Sequence, residues 1–328
     1  MKQNYYIFRG GRLRKKGNTL YVIREEEKKP IPVKNVDALF IFGEIDLNSK
    51  LLVFLAKNNI PLHVFNYYGF YSGTFYPREY LKSGFLIVKQ VEHYLDSEKR
   101  LKLAKHFVEG ATYNIIQNLL HYQKIGKNVG DAISSIKYEK GMLETMGSIP
   151  ELMGCEGRIR DAYYSTFNEI LRTFDFTERE RKPPTNEINS LISFGNSMLY
   201  TEILSEIYKT QLNPMISYLH EPGERRFSLS LDLSEVFKPV LVDRCIFNLV
   251  NNRIIKDEHF RKELNACYLT EEGRKVFVQD FDNRLQTKVK LRKLGRTVSY
   301  KYLIRIECYK LVKHLLGESE YDPFRAEW

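Results

Sequence analysis

The apolar residues change period between residues 77 and 91, and that change divides the chain. Upstream, short β-branched and aromatic runs alternate with turn signals. Tyr5, Tyr6, Ile7 and Phe8 form a strand-like run that ends at Gly10 and Gly11. Residues 12–16 and 19–24 flank Gly17-Asn18, which predicts a hairpin with a two-residue turn. Residues 31–33 and 38–42 give two further strands, residues 46–58 a helix capped by Asn48 or Ser49, and residues 60–65 another strand. His63 sits inside an apolar run and is expected in a core rather than at a ligand site.

Downstream the period is helical. Residues 96–121 repeat Leu101, Ala104, Phe107, Val108, Ala111 and Ile115 along one stripe. Further helices are expected over residues 131–145, 186–212 and 298–316, through LDLSEVF, and after Arg244. Residues 257–278 are expected to be irregular, with a turn at Glu272-Gly273, and the tail YDPFRAEW to be loosely held. A chain of 328 residues exceeds one typical core. The expected fold class is α+β. A small β-rich N-terminal domain over residues 1–83 leads through a linker, residues 84–95, to a larger all-helical domain, residues 96–328.

Composition removes several function classes. Cys155, Cys245, Cys267 and Cys308 are widely spaced without a C-x-x-C, which argues against a zinc ribbon and a disulfide scaffold. The start, MKQNYYIFRGGRLRKK, carries no apolar signal core, and no stretch approaches a membrane span. A cytoplasmic protein with no membrane partner is expected. The formal charge of +10 favours an anionic partner, nucleic acid first.

Chemistry-bearing residues concentrate in NPMISYLHEPGERRFSLSLDLSEVFKPVLVDR, residues 213–244. Asn213-Pro214 and Pro222-Gly223 are turn signals. Ser228 or Ser230 is expected to cap a helix on which Asp232 and Glu235 share one face. The turn at Pro222-Gly223 can return His220 towards that acidic face. A second stretch, PELMGCEGR, places Glu156 between Gly154 and Gly157, where a helix start and close backbone approach are expected. Taken singly, each of these residues has an ordinary structural reading as a solvated or core side chain.

The order LMGCEG, SFGNSMLYTEI, LNPMISYLH and SLSLDLSEVFKPVLVDR resembles the CRISPR-associated adaptation integrase family, the catalytic endonuclease component of spacer acquisition. The resemblance spans nearly the whole chain. It implies that the metal ligands are Glu156, His220 and Glu235, with Asp232 in catalytic support. It also implies a homodimer built through the β-rich module, a small second adaptation protein bridging two dimers, and DNA as substrate, both foreign fragments and the repeat array. Many members of that family have small residues just after the Glu-Gly pair; here Arg158, Ile159 and Arg160 stand there.

Two carboxylates and one imidazole suit Mn²⁺ or Mg²⁺ better than structural Zn²⁺. Such a set fits a metal-dependent DNA integrase and endonuclease working by phosphodiester hydrolysis and transesterification. The competing class is a non-catalytic DNA-binding scaffold protein of the same architecture. A hydrolase of small phosphate esters fits the ligands but not the charge. Arg225, Arg226, Lys238, Arg244, Lys288, Lys290 and Arg292 are the cations expected to touch phosphate, spread over a broad surface rather than on one recognition helix.

Overall fold

The computed structural model describes residues 2–25, 27–78, 81–181, 183–223, 227–291 and 295–327. It divides into two compact units, Met1–Tyr80 and Leu81–Trp328.

In the first unit, β1 (Gln3–Ile7) is followed by β2 (Gly11–Lys16), β3 (Thr19–Arg24), β4 (Glu27–Pro32), β5 (Val36–Ile41) and β6 (Ile45–Asp46). Then come α1 (Ser49–Lys57), β7 (Leu62–Phe65) and β8 (Tyr71–Phe75). One sheet runs β1-β5-β7-β8 and the other β4-β3-β2-β6. β1, β5 and β7 are parallel, and every residue of β5, VDALFI, is buried. A near-continuous apolar run is what a strand covered on both faces requires. Lys16 pairs with Thr19, so Gly17-Asn18 is the expected two-residue turn. Asn48 caps α1 by accepting from the Leu51 N–H at 3.0 Å. Leu13, Leu20, Val36, Leu39, Leu51, Leu55 and Ile60 form the core of this unit. His63 is fully buried there, 2.8 Å from Thr74 Oγ1 through Nδ1.

The second unit begins with α2 (Gly84–Leu95), α3 (Ser97–Lys124), α4 (Gly130–Met142), α5 (Ile149–Tyr164), α6 (Phe167–Ile170) and α7 (Glu187–Tyr208). α8 (Ser228–Phe237) passes through a π-helical segment, Lys238–Asp243, into α9 (Arg244–Asn251). A hairpin of β9 (Phe260–Glu263) and β10 (Ala266–Leu269), then α10 (Glu271–Gln286), a second hairpin of β11 (Lys288–Leu291) and β12 (Arg296–Ser299), and α11 (Tyr300–Leu315) complete it. α8 packs between α3 and α7, and α7 is buried on nearly every face.

The α+β expectation holds, with four departures. First, the larger unit is mostly helical rather than all-helical, because it carries the two hairpins. Second, residues 84–95 are the helix α2, not a linker. Ser83 caps α2, Leu86 and Gln90 are buried, and α2 packs on α3 and α11. Its exposed Phe85, Val88 and Leu95 blur the amphipathic stripe that would have marked it. Third, residues 257–278 are ordered. Thr270 Oγ1 accepts from the Gly273 N–H at 3.1 Å, so Glu272-Gly273 is the first turn of α10, where Glu271 and Glu272 suit the helix dipole. A Cβ at Gly273 would collide with the His259 carbonyl oxygen, which explains the glycine better than a turn does.

Fourth, the tail is docked. Tyr321, Phe324 and Ala326 are buried. Glu307 accepts from the Tyr321 hydroxyl at 2.7 Å and the Phe324 N–H at 2.9 Å. Asn114 Oδ1 accepts from the Ala326 N–H at 2.8 Å. Three apolar residues dispersed among polar ones give no periodic signal, yet the Tyr321 ring lies against Phe107 of α3 and the Phe324 ring stacks on Phe237 of α8.

Candidate active site

The site is built where α5, α8 and the loop before α8 meet. α8 is buried along almost its whole length, so Asp232 and Glu235 lie inside the unit rather than on a solvated face. Neither Ser228 nor Ser230 caps it. The N-cap is Phe227, held at φ +63°, whose carbonyl accepts from the Ser230 N–H at 3.0 Å and the Ser230 hydroxyl at 2.7 Å. At its other end Pro239 lacks an N–H, and the helix widens into the π-helical segment. Buried amides on α3 bind the carbonyls there. Asn114 Nδ2 donates to Val236 O at 2.9 Å and Asn118 Nδ2 to Pro239 O at 2.8 Å.

The loop bearing His220 is anchored by α2 and α3. The Asn213 N–H donates to Gln90 Oε1 at 2.8 Å. Arg100 Nε donates to Tyr218 O at 2.9 Å, and its Nη2 pairs with Glu221 at 2.6 Å. The end of the loop wraps Asp232, whose carboxylate is fully buried. It accepts from the backbone N–H groups of Tyr218 at 2.6 Å, Leu219 at 3.1 Å and His220 at 3.0 Å. Its Oδ1 also lies 2.9 Å from His220 Nδ1. This fixes the imidazole with Nδ1 on the carboxylate and leaves Nε2 as the nitrogen offered to a cation. Burial opposes charge on His220, but the hydrogen bond and charge of Asp232, then the charge of Glu235, outweigh it and raise its pKa.

Glu156 is mid-helix, not at a helix start. α5 begins at Ser148, whose Oγ accepts from the Glu151 N–H at 3.4 Å, while Glu151 Oε2 accepts from the Gly147 N–H at 2.8 Å. That Ser148 cap, with Glu151 reaching back to the residue before it, places the start two turns upstream of Glu156. Nor do the flanking glycines bring another backbone close. A Cβ on Gly157 would meet nothing within 4 Å, and one on Gly154 would make ordinary contact with Arg158 at 3.6 Å. They leave the helix surface bare beside the carboxylate.

Glu156 and Glu235 meet through a residue the sequence marked only as a departure from the family pattern. Arg160 Nε donates to Glu156 Oε1 at 3.0 Å, and its Nη2 to Glu235 Oε2 at 2.5 Å. Lys238 Nζ binds the other Glu235 oxygen at 2.5 Å and lies 5.4 Å from the Tyr200 ring centroid. Burial works against ionised Glu235, but the charges of Lys238, Arg160 and His220 prevail and hold its carboxyl at about 2. The i,i+4 spacing of Glu156 and Arg160 was the available signal for this pairing.

Among the described residues, no three of His, Cys, Asp and Glu stand as a ready-made metal cage; Arg160 engages both glutamates and Lys238 also engages Glu235. The donor set nevertheless fits a divalent ion. Two carboxylates and an imidazole oriented by a buried acid are hard and borderline ligands.

The other cations separate. Lys238 is committed to Glu235. Arg244 is partly buried, and burial followed by the charge of Arg284 lowers its pKa. Lys288 and Lys290 share the exposed face of β11. Arg225, Arg226 and Arg292 lie outside the described residues.

The fold recurs in solved structures. A Cas1 protein from Thermotoga maritima superposes with a TM-score of 0.88 at 44% identity, covering 97% of this chain and 98% of that one. A casposase bound to integration product shares the fold at 22% identity, with a TM-score of 0.87 over 99% of this chain and 94% of that one. In sequence, residues 5–283 match the family described as CRISPR associated protein Cas1. The CRISPR-associated endonuclease Cas1 3 of Thermodesulfovibrio yellowstonii is 53% identical over 328 residues, covering 99% of this chain and 100% of that one. The chain belongs to the Cas1 family.

Proposed function

We propose that this chain is the metal-dependent DNA endonuclease and integrase of CRISPR spacer acquisition, joining DNA ends into the repeat array by phosphodiester transfer. The observation that carries this reading is the meeting of Glu156 and Glu235 around Arg160, with His220 set on Asp232 beside them. A purely DNA-binding scaffold has no use for a buried Glu235, a partly buried Glu156 and an oriented imidazole at the cost of desolvating them.

The enzyme uses a divalent metal, here proposed as Mn²⁺ or Mg²⁺, held by Glu156, His220 Nε2 and Glu235. When bound, the cation supplies charge stabilisation at non-bridging phosphate oxygens and lowers the pKa of an attacking hydroxyl or water. Asp232 holds the imidazole orientation. Lys238 keeps Glu235 ionised. A DNA 3′-OH as attacking group gives joining, and water gives cleavage.

DNA is tracked mainly by its backbone, through exposed cations such as Lys288 and Lys290, with Arg225, Arg226, Arg244 and Arg292 as further candidates. Its protein partner is the small second adaptation protein, and its own state is a homodimer built through the β-rich unit. No described helix is long and apolar enough to cross a membrane, and the proposed compartment is the cytoplasm.

Supercoiled plasmid with Mn²⁺, with and without chelator, tests the activity. Nicking and joining that survive chelation would refute the metal reading. A salt titration on branched and plain duplexes of unrelated sequence tests DNA tracking. Similar steep slopes for all are expected, and a dominant sequence preference would overturn backbone recognition.

A further inference from the structure

A buried carboxylate, Glu235, brought together with the partly buried Glu156 needs a countercharge, and in this chain Arg160 supplies it. Its guanidinium is nevertheless incompletely used. Nε and Nη2 serve Glu156 and Glu235, while Nη1 is buried with no hydrogen-bond partner among the described residues. Behind it, at the junction of the π-helical segment and α9, stands Asp243, only 2% exposed. Its Oδ2 is also buried without a partner among the described residues. A buried donor and a buried acceptor, each unsatisfied, are individually unfavourable. Burial pushes the Asp243 carboxyl up to about 6 against the charge of Arg160, a hydrogen bond with Tyr163 and the charge of Lys238, which together do not offset its desolvation.

We propose that Arg160 is the resident counter-ion of the metal-free site, and that it passes its guanidinium from Glu156 and Glu235 to Asp243 when a divalent cation enters. The proposal rests on the metal site assigned above. A cation between the two glutamates and Arg160 in its present place would be like charges at close range. The long arginine side chain can pivot on its aliphatic stem, and Asp243 Oδ2 is the acceptor waiting on the protein side. In the loaded state both unsatisfied groups gain partners. Arg160 thereby competes with the cation, setting how much metal is needed to fill the site, and Asp243 offsets part of that competition. Arg160 and Asp243 are positioning residues: they act through the glutamates rather than on the reacting atoms.

The test is Mn²⁺ affinity of the full-length chain, read by the electron paramagnetic resonance signal of free Mn²⁺, with thermal stability measured alongside. Arg160→Met is expected to bind Mn²⁺ about tenfold more tightly than the parent, and its metal-free form to melt earlier and to recover on Mn²⁺ addition. Arg160→Lys, which keeps the charge but cannot bridge both glutamates, is expected to shift affinity the same way by less, and it serves if Arg160→Met does not fold. Asp243→Asn is expected to weaken Mn²⁺ binding about tenfold. In the Arg160→Met background that loss should vanish, because there is no guanidinium left to receive. Unchanged or weaker binding in both Arg160 variants, or an Asp243→Asn effect that persists without Arg160, overturns the proposal while leaving the metal site standing. Glu235→Gln separates the two readings. If it binds Mn²⁺ like the parent, or if neither parent nor Arg160→Met binds Mn²⁺, the metal site and the counter-ion fail together.

Discussion

At the scale of single residues, the proposed metal site divides into groups offered to a cation and groups that hold them. His220→Ala removes an offered group. It is expected to abolish metal-dependent cleavage and joining while duplex affinity stays within about threefold, since affinity comes from dispersed phosphate contacts. Plasmid assays and gel-shift titrations check this, and loss of DNA binding together with activity would make His220 structural. Asp232→Asn removes a holder. It releases the imidazole from its fixed orientation and is expected to lower activity or metal affinity about 10- to 100-fold, measured with the same plasmid assay. Glu235→Gln strands Arg160 and Lys238 beside a neutral amide and is expected to lower metal-free stability by roughly 3–5 kcal/mol, as breaking one side of a buried ion pair does. Urea denaturation in the presence of chelator reads it.

The sequence motifs singled out Glu156, His220 and Glu235 because each stands in a pattern of turns, glycines and paired acids. Arg160 was not legible in the same way. Its charge was visible, but whether an arginine on α5 faces solvent or two glutamates depends on α8 being buried, a tertiary fact. Lys238 was expected at phosphate for the same reason and is found binding Glu235 instead.

Among the elements, α8 depends on how closely its neighbours pack. α7 crosses the π-helical segment at Gly195, where a Cβ would lie 2.6 Å from Val242 Cγ1 and 2.7 Å from Phe277 Cζ. Neither neighbour has room to retreat, because Val242 and Phe277 are fully buried. Gly195→Ala is therefore expected to cost about 1–3 kcal/mol through overpacking, seen as a lower denaturation midpoint with an unchanged slope. An increase in stability would show that α7 stands farther from the segment than described. α3, with its clean stripe, and α7, apolar on nearly every face, were legible from the sequence within a few residues at their ends. The two hairpins and the first turn of α10 were not, because FRKE and KVKL are charged strands whose pairing, not their hydrophobicity, holds them. α2 failed for the opposite reason: its exposed Phe85, Val88 and Leu95 form an apolar stripe opposite the buried Leu86 and Gln90, so hydrophobicity does not mark the buried face.

Across the larger unit as a whole, the docked tail links stability to pH. His314 Nδ1 accepts from the Tyr321 N–H at 3.1 Å, an acceptor role that only the unprotonated nitrogen can play. Burial, then the charges of His93, His106 and Lys102, lower His314 to about 4, with Glu320 opposing. An unfolded chain takes up this proton near the ordinary histidine value, whereas the folded one refuses it until about pH 4. Stability from this group is thus complete above the ordinary value and is lost as pH falls towards about 4. His314→Gln keeps an acceptor and removes the titration. It is expected to flatten the acid side of the stability profile by about one proton, measured by denaturation at a series of pH values. A profile identical to the parent would place the acid sensitivity elsewhere, for example at His106, which burial also depresses.

The π-helical segment between α8 and α9 has a consequence for how this chain can vary in length. A π turn holds one residue more than the α turn it replaces, so the extra residue is absorbed within the turn and α9 keeps the phase that an unbroken helix would give it. A further residue inserted after Val240, which the turn has no room to absorb, would turn everything beyond it by about 100°. Asp243 would rotate away from Arg160 while Glu235 kept its place, with no side chain of the site altered. Spacing between Glu235 and Asp243 is thus itself a constraint, and a one-residue insertion there would do what no conservative substitution at either acid can.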